Sequence, residues 1–324
     1  MFDIISIGAA TRDVFLISRE FQIINSPKFV GGQGECVALG GKIDVDEIYF
    51  ATGGGATNAA ATFANLGFKS SVIAKIGKDE PGAAILADLT HYKVDTSLLQ
   101  IANKETSAYS TLLTTKSGER SVLVHRGASA TFVSKDIPWK KLNAKWLYIT
   151  SLAGNLDVLE KLVAAAHKQG LKIALNPGKG ELKQPAKVRE LLPHLDVLLV
   201  NLEEAQALAE STEKDGAALT KLLAQPQLCV IVTNGSKGAH AHAAHDTWFI
   251  RTSGKKSISR TGAGDAFGSG VVAGLMKDLS LDNALRVGTL NAESVIQKFG
   301  AKAGILTKWP SKQQLATISV KLVK

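Results

Sequence analysis

The chain alternates short β-rich runs with alanine- and leucine-rich helical stretches, and this alternation constrains its fold most strongly. The strand-like runs are IISIG (4–8), SVIAKIG (71–77), KWLYITS (145–151), LKIALN (171–176), DVLLVN (196–201) and CVIVTNG (229–235). The helical stretches include NAAATFANLG (58–67), LDVLEKLVAAAHKQG (156–170) and EEAQALAES (203–211). Repetition of strand, turn and helix predicts a parallel sheet covered on both faces. Ligands of such sheets bind beyond the carboxyl ends of the strands, so we expect the site residues there.

Two segments interrupt this rhythm. Residues 15–50 alternate polar and apolar side chains around a GGQG turn, and residues 106–125 read as a hairpin that turns at KSGE (116–119). We expect them to form a small β-sheet lid over the main domain, although a pair of edge hairpins explains them too. The predicted α/β core then comprises residues 1–14, 51–105 and 126–324.

The composition is typical of a soluble protein with a sizeable core: 45% of the 324 residues are hydrophobic and 21% are charged. No apolar run reaches the about 18 residues of a membrane span, and the start does not resemble a signal peptide. Cys36 and Cys229 are the only cysteines, too few for a disulfide framework or a zinc cage. We therefore expect a cytoplasmic protein with no membrane partner.

The net charge of +9 is spread along the chain. No basic run is interleaved with aromatic residues, which favours a solvated basic surface over nucleic-acid binding. A phosphate-bearing small molecule is compatible with this charge.

The motif TGAGD (261–265) precedes a predicted helix that is rich in small residues. Glycine weakens a helix by about 1 kcal/mol relative to alanine, so Gly268, Gly270 and Gly274 indicate that something packs closely against this backbone. The amides of Gly262, Ala263 and Gly264 can approach an anion at the helix start. Asp265 follows in the first turn, where a carboxylate can serve as a general base in phosphoryl transfer or simply cap the helix.

A second glycine cluster, TGGGATNAA (52–60), again allows close approach of the backbone to a ligand. A dinucleotide-binding fingerprint would have Gly or Ala near position 58, where this chain has Asn58, so the fingerprint does not match. The chain also has no GxxxxGK[ST] phosphate loop. A plain glycine turn before an alanine-rich helix is the alternative.

Polar residues also follow two further strands. Asn201 and Glu204 lie three residues apart at a helix start, a spacing that suits either a hydrated Mg²⁺ or helix capping. Thr233, Gly235 and Gly238 form a glycine turn after the next strand.

Taken in order along the chain, these motifs resemble the ribokinase-like carbohydrate kinases, also called the PfkB family. The resemblance runs from Gly8–Asp13, through VIAKIGKDEPGAAILADL (72–89), to NAESVIQKFGAKAG (291–304). It implies a three-layer α/β/α fold with a mainly parallel central sheet and a small β-sheet lid, through which some members dimerise.

The resemblance also implies roles for individual residues. Asp265 is the expected catalytic base, with Gly262, Ala263 and Gly264 as the anion hole. The substrate is expected to contact Asp13, Gly54, Gly55, Asn58 and Arg126. ATP is expected at Asn201, Glu204, Thr233, Gly235, Gly238 and Asn291, with Mg²⁺ held at Glu204 through water.

The chain departs from the family pattern at two places. Ser259-Arg260-Thr261 stands where the family usually has Asp-Thr-x, an Asp that often serves a monovalent cation site, so potassium activation is not implied. Arg260 places a positive charge near the phosphate instead. Thr11 replaces the usual Asn two residues before the sugar-binding Asp.

The acceptor is less constrained. Arg12, Arg120 and Arg126 flank the expected sugar site and favour an acidic or phosphorylated sugar, unless they face solvent or hold the lid. A nucleoside would need aromatic faces, but only 6% of the chain is aromatic, with Phe15 and Tyr109 as candidates.

The function predicted from the sequence is ATP-dependent phosphorylation of a hydroxymethyl group on a small sugar or sugar derivative. A nucleoside kinase of the same family and a non-catalytic sugar- or nucleotide-binding regulatory protein are the alternatives. The histidines at 240, 242 and 245 are expected on the surface rather than in a metal site.

Overall fold

The computed structural model describes residues 1–29, 31–116 and 118–323. Seventeen strands lie in these ranges: β1 (Phe2–Ile7), β2 (Thr11–Ile17), β3 (Gln22–Asn25), β4 (Gln33–Cys36), β5 (Glu47–Gly53), β6 (Ser70–Ile73), β7 (Lys75–Gly77), β8 (Gln100–Ala102), β9 (Ala108–Thr114), β10 (Arg120–His125), β11 (Ala144–Ile149), β12 (Lys172–Leu175), β13 (Val197–Asn201), β14 (Cys229–Thr233), β15 (Ala239–Ala243), β16 (Asp246–Ile250) and β17 (Val320–Val323).

Ten α-helices lie in the same ranges: α1 (Gly55–Asn65), α2 (Glu80–His91), α3 (Gly127–Ala130), α4 (Leu156–Lys168), α5 (Pro185–Leu191), α6 (Leu202–Ala209), α7 (Gly216–Leu222), α8 (Ala263–Met276), α9 (Leu281–Val295) and α10 (Lys312–Ala316). Their starts follow local chemistry. The side chain of Asp79 caps α2 by accepting from the amide of Gly82, and Asn155 caps α4 by accepting from that of Val158.

The central sheet has nine strands in the order β17-β16-β15-β14-β13-β12-β11-β1-β6. The six strands from β14 to β6 run parallel, and β15, β16 and β17 extend the sheet antiparallel at one edge. Ile4, Ile5 and Ile7 of β1 are completely buried, as expected for a strand covered on both faces.

Helices cover this sheet on both faces and give the three layers predicted from the sequence. On one face α4, α5, α6 and α7 contribute a leucine- and valine-rich core. On the other face α1, α8 and α9 pack around aromatic side chains that include Phe63 and Tyr148.

The small residues of α8 are explained by close packing. A Cβ on Gly270 would lie 2.8 Å from the Cα of Gly288, and one on Gly274 would lie 2.7 Å from the Cα of Ala284. A Cβ on Gly268 would lie 2.5 Å from the hydroxyl of Tyr148. The expected close neighbours of this helix are therefore α9 and β11.

One predicted strand is divided in the structure. The run 71–77 was expected to form a single strand, but β6 belongs to the central sheet while β7 pairs with β8 in a separate two-stranded sheet. The backbone carbonyl of Ala74, between the two strands, accepts from the amide of Gln100, which draws the chain out of the central sheet.

A second sheet of four strands, in the order β10-β9-β2-β5, forms what we call the lid sheet (Thr11–Ile17, Glu47–Gly53, Ala108–Thr114 and Arg120–His125). Strands β9 and β10 form a hairpin. Ser117 of the predicted KSGE turn lies outside the described residues. Because β1 leads into β2 and β5 leads into α1, the lid sheet is attached to the part of the core that carries the glycine cluster. The domain boundaries given above remain a prediction.

None of the helices in the described ranges combines the length and the apolar character that a membrane crossing needs.

Candidate active site

The anion site predicted at TGAGD is the N-terminus of α8, a helix of 14 residues. Gly262 caps it in a left-handed conformation with φ of 78°. A Cβ on Gly262 would lie 2.4 Å from that of Ala301, so both the conformation and the packing require glycine here. The amide of Ala263 makes a long hydrogen bond of 3.4 Å to the carbonyl of Arg260, and no side chain caps the helix. The helix dipole concentrates positive potential at this point, which suits a phosphoryl group.

Asp265 lies in the first turn of α8 and is half-buried. Its Oδ2 accepts a hydrogen bond of 2.7 Å from the Nδ2 of Asn58. Burial raises the pKa of Asp265, while the Asn58 bond and the charge of Lys302 lower it. Asp265 and Asn58, which the sequence analysis named separately as candidate site residues, are thus in direct contact, although 207 residues separate them.

Asn58 itself has an unused acceptor. Its side chain is buried, and its Oδ1 has no hydrogen-bond partner among the described residues. A buried polar atom without a partner is costly, so it suits a bound hydroxyl group as donor.

Asp13 lies in β2 and is 4% exposed. Burial raises its pKa from 3.8 to about 6, opposed by the charge of Lys302 and by hydrogen bonds from the side chains of Ser110 and Thr11. A Cβ on Gly53 would lie 2.1 Å from Asp13 Oδ2, so glycine is needed opposite this carboxylate.

Gly54 and Gly55 begin α1 beside Asp13, but the structure shows a different reason for the glycines than the one expected. A Cβ on Gly54 would lie 2.3 Å from the carbonyl oxygen of Ala9, and one on Gly55 would lie 2.9 Å from Thr150. These glycines therefore allow the chain to approach itself closely, and this packing brings Asn58 to Asp265.

A cavity of about 460 Å³ opens onto the N-terminus of α8. Its lining combines the glycine turn after β14, the segment before α8 and one side of α9: Thr233, Gly235, Ser236, Gly238, Ala239, Ile250, Thr252, Gly254, Lys255, Ser257, Arg260, Ala263, Gly264, Phe267, Thr289, Ala292, Glu293 and Ile296. Three of the predicted ATP contacts, Thr233, Gly235 and Gly238, thus share one cavity with the predicted anion hole.

Asn201 and Glu204 form a capping box at the start of α6, the alternative that the sequence left open. The amide of Glu204 donates to Asn201 Oδ1 and the amide of Asn201 donates to Glu204 Oε2, both at 2.9 Å. Asn201 lies opposite Thr233 in the sheet, which places the box beside the cavity edge. Burial raises the pKa of Glu204, and the nearby charge of Lys179 lowers it.

These residues fit the Mg²⁺ prediction. The capping bond is made to Glu204 Oε2, and a carboxylate has further acceptor capacity for the water shell of a cation. Magnesium retains several waters and needs one or two protein carboxylates besides phosphate oxygens.

Asn291 does not line the cavity, contrary to its predicted ATP contact. It is completely buried, its Nδ2 donates to the carbonyl of Ala266, and its Oδ1 accepts from the amide of Leu306. With its donor and acceptor used inside the protein, Asn291 joins α9 to α8.

The arginines near the site differ in their surroundings. Arg12 is held by the carbonyl of Ala51, at 3.2 Å, and its guanidinium lies over the ring of Phe50. Arg120 is exposed at the start of β10; partial desolvation of its guanidinium lowers its pKa, and the like charge of Arg260, which lines the cavity, lowers it further. Arg126 directly precedes α3.

The candidate aromatic and histidine positions are explained by packing. Phe15 is 1% exposed and packs edge-on against Phe299, so it does not offer a face to a nucleobase. Tyr109 is half-buried in β9. His240 packs beside Phe249. In the described ranges no three His, Cys, Asp or Glu side chains are grouped so that they could hold a metal ion.

The sequence reasoning missed Lys302, which is 4% exposed and lies beneath the site. It stands in a loop after α9, in FGAKAG at the end of the stretch 291–304, where the resemblance implies no role for it and no periodicity distinguishes it from a surface lysine.

Comparison with known proteins supports the same interpretation. The model of the pfkB family carbohydrate kinases matches residues 2–308. Ribokinase of Haemophilus influenzae is 26% identical over 264 residues, which cover 80% of this chain and 85% of that protein. An ATP-dependent ribose-1-phosphate kinase of Halopiger xanaduensis is 28% identical over 237 residues, covering 72% of this chain and 76% of the relative. The crystal structure of ribokinase from Cryptococcus neoformans in complex with ADP matches with a TM-score of 0.75 at 22% identity, over 98% of this chain and 99% of that one. The predicted fold is thereby confirmed.

Proposed function

Because the chain belongs to the pfkB family of carbohydrate kinases, which are phosphotransferases, we propose that it transfers the γ-phosphoryl group of ATP to a hydroxymethyl group of a small sugar or sugar derivative. Asp265 is the proposed general base, and the amides of Gly262, Ala263 and Gly264 are the proposed anion hole.

The observation that carries this proposal is that Asp265 lies between the cavity and the side chain of Asn58. On one side lies the 460 Å³ cavity, which includes Ala263 and Gly264 in its wall. On the other side lies Asn58, with its unused buried acceptor. A nucleotide in the cavity and an acceptor hydroxyl at Asn58 would meet at this carboxylate.

Transfer then requires little covalent chemistry from the protein. Asp265 accepts the proton of the acceptor hydroxyl while the hydroxyl oxygen forms a bond to the γ-phosphorus of ATP. The bond between that phosphorus and the ADP leaving group breaks at the same time. The helix amides stabilise the charge on the transferring group. The proton on Asp265 passes to solvent before the next turnover. Burial makes Asp265 a stronger base than an exposed carboxylate, because its pKa is raised.

The nucleotide site is proposed at the cavity, with Thr233, Gly235 and Gly238 along the nucleotide. The likeness to a ribokinase solved with ADP supports this placement. Asn201 and Glu204 would hold a hydrated Mg²⁺, which when bound neutralises charge on the phosphates.

Asp13 and Asn58 are proposed to bind acceptor hydroxyls, together with the backbone at Gly54 and Gly55. The positive charges of Arg120 and Arg260, which are close enough for one to act on the other, favour an acceptor that carries a phosphate or a carboxylate, since an anion near both charges would be stabilised. Arg126 is proposed to contact the substrate near this pair. A relative named for ribose-1-phosphate supports placing sugar phosphates first among the candidates.

A homodimer through the lid sheet stays a prediction. Apolar side chains are exposed on its two edge strands, among them Phe50 on β5 and Leu123 on β10. Light scattering after size-exclusion chromatography is the measurement for it. A mass of about 34 kDa across the working concentration range would contradict a dimer.

The proposed reaction is tested by ADP release from Mg·ATP with pentoses, hexoses, sugar acids, sugar phosphates and nucleosides as acceptors, each with and without potassium. Phosphorus NMR of the product identifies the phosphorylated carbon, because a phosphate on a hydroxymethyl group couples to two protons. We expect acceptor-dependent release for one sugar class and this coupling pattern. A protein that binds ADP but forms no ADP from Mg·ATP with any acceptor would instead favour a non-catalytic binding protein.

A further inference from the structure

Lys302 is a buried lysine inside a group of carboxylates. Its side chain is 3% exposed, and its Nζ lies 3.1 Å from Asp88 Oδ2 and 3.3 Å from Thr57 Oγ1. A buried ammonium is costly unless it is paired, and Asp88 of α2 supplies the pair.

The same ammonium also acts on the two carboxylates of the site. It lowers the pKa of Asp13 and that of Asp265, both of which burial raises. Burial lowers the pKa of Lys302, and the charges of Asp88, Asp13 and Asp265 oppose this by raising it. Asp88 contacts the ammonium directly, and Asp13 of β2 and Asp265 of α8 are close enough to act on it.

The other groups facing these carboxylates do not replace this charge. Arg12 also acts on Asp13, but more weakly than Lys302 does. Asp265 faces Asn58, which is neutral, and Tyr148, whose pKa burial raises so that its phenol stays protonated. Lys302 is therefore the positive charge that acts on both site carboxylates.

The backbone around Lys302 fixes its position relative to both halves of the site. Phe299 stacks on Tyr49 of the lid sheet at 4.4 Å between ring centroids. Ala301 fills the space beside Gly262 at the anion hole. The hydroxyl of Tyr92 donates to the carbonyl of Lys302 at 3.1 Å.

From this geometry we propose that Lys302 is a positioning residue whose fixed, buried charge keeps Asp265 and Asp13 ionised at neutral pH, so that the base can accept a proton and the acceptor-binding carboxylate stays charged. This inference rests on the proposed function. Lys302 does not touch the substrate, because it is shielded by Thr57 and Asp88 and is nearly inaccessible to solvent.

The test is the dependence of kcat/KM on pH, whose acid limb reports ionisations of the free enzyme. The variants are Lys302→Met, Lys302→Arg and a control, Lys75→Met. Lys75 is also buried and paired, with Glu105 at 3.0 Å and Asp136 at 3.5 Å, but it belongs to the separate sheet of β7 and β8.

We expect the acid limb of Lys302→Met to move to higher pH by about one unit or more, the effect of removing an opposite charge near a carboxylate. At pH values on the acid side of the limb, kcat/KM of the variant should fall below that of the wild type by about tenfold for each pH unit that the limb moves. Lys302→Arg restores the wild-type limb at least in part, and Lys75→Met leaves the limb in place even where it lowers the melting temperature. An unmoved limb in a folded Lys302→Met protein that binds Mg·ADP would overturn the inference.

A second variant keeps the test decisive if Lys302→Met does not fold. Lys302→Gln removes the charge and leaves a polar side chain beside Asp88 and Thr57, so its limb should also move to higher pH. An unmoved limb in folded Lys302→Gln would contradict the proposal. Asp265→Asn in the same series separates the two claims: wild-type activity in that variant refutes the proposed base, whereas its inactivity together with an unmoved Lys302→Met limb refutes the role of Lys302 alone.

Discussion

Replacing Asp13 by Asn should stabilise the protein at neutral pH and not at acid pH. Burial raises the pKa of Asp13 from 3.8 to about 6. Between these two values the folded protein retains a proton that the unfolded chain has released, so the stability of the wild type falls as the pH rises through this window. A shift of about two units, at about 1.4 kcal/mol per unit, gives about 3 kcal/mol.

Asp13→Asn lacks this titration. The unfolding free energy of the variant minus that of the wild type should therefore increase by about 3 kcal/mol from about pH 4 to pH 7. Urea unfolding followed by fluorescence of the four tryptophans measures it.

Asp79→Asn is the control of opposite sign. Burial alone would raise the pKa of Asp79, but hydrogen bonds from Ser107 and from the amide of Gly82 outweigh it and leave the pKa lowered. This variant should lose stability at neutral pH, and the loss should shrink on acidification. A pH-independent difference for Asp13→Asn, or one that decreases toward pH 7, would refute the argument from burial.

Three further predictions concern single contacts. Gly262→Ala should lower kcat by about 10² or more in the ADP-release assay, because it displaces the anion-hole amides. Gly170→Ala is the control: Gly170 also has a positive φ but open space around it, so this variant should lose about 1 kcal/mol of stability and keep its kcat. Glu204→Gln should raise the Mg²⁺ concentration needed for half-maximal rate about tenfold, whereas Asn155→Ala, which removes another helix cap, should cost about 1 kcal/mol in thermal unfolding without changing the Mg²⁺ requirement. Tyr148→Phe should keep or raise stability, by up to about 1 kcal/mol, because the buried hydroxyl has no partner within the described ranges; a clear drop in melting temperature would contradict this.

Much of the fold follows from local pattern. Alternating β-rich and helical runs predicted the parallel sheet and its two helical layers, and glycines in α8 predicted close packing before the neighbouring α9 was known. The break at Ala74 was not predicted, because it depends on a hydrogen bond to the distant Gln100. Apolar pattern alone does not reveal which sheet a strand joins.

In the candidate site, too, some residues are recognisable from the sequence, whereas others depend on how distant segments pack. Asp265 and Asn58 lie in recognisable motifs, but the hydrogen bond between them was not predicted, because it depends on how α1 and α8 pack. Asn291 was assigned to the nucleotide from its place in a motif, although helix phase turns it into the core between α8 and α9. Lys302 lies in the same stretch as Asn291, but the sequence assigns it no role, since that role depends on where α1, α2, β2 and α8 converge.

The most direct test of the account is kcat for Asp265→Asn, measured with saturating Mg·ATP and the acceptor found in the panel, beside the Kd for Mg·ADP from calorimetry. Since the carboxylate is the proposed base and the nucleotide cavity is left intact, we expect kcat to fall by about 10² to 10⁴ while the Kd stays within about twofold of the wild type. Wild-type turnover in this variant would contradict the assignment of Asp265.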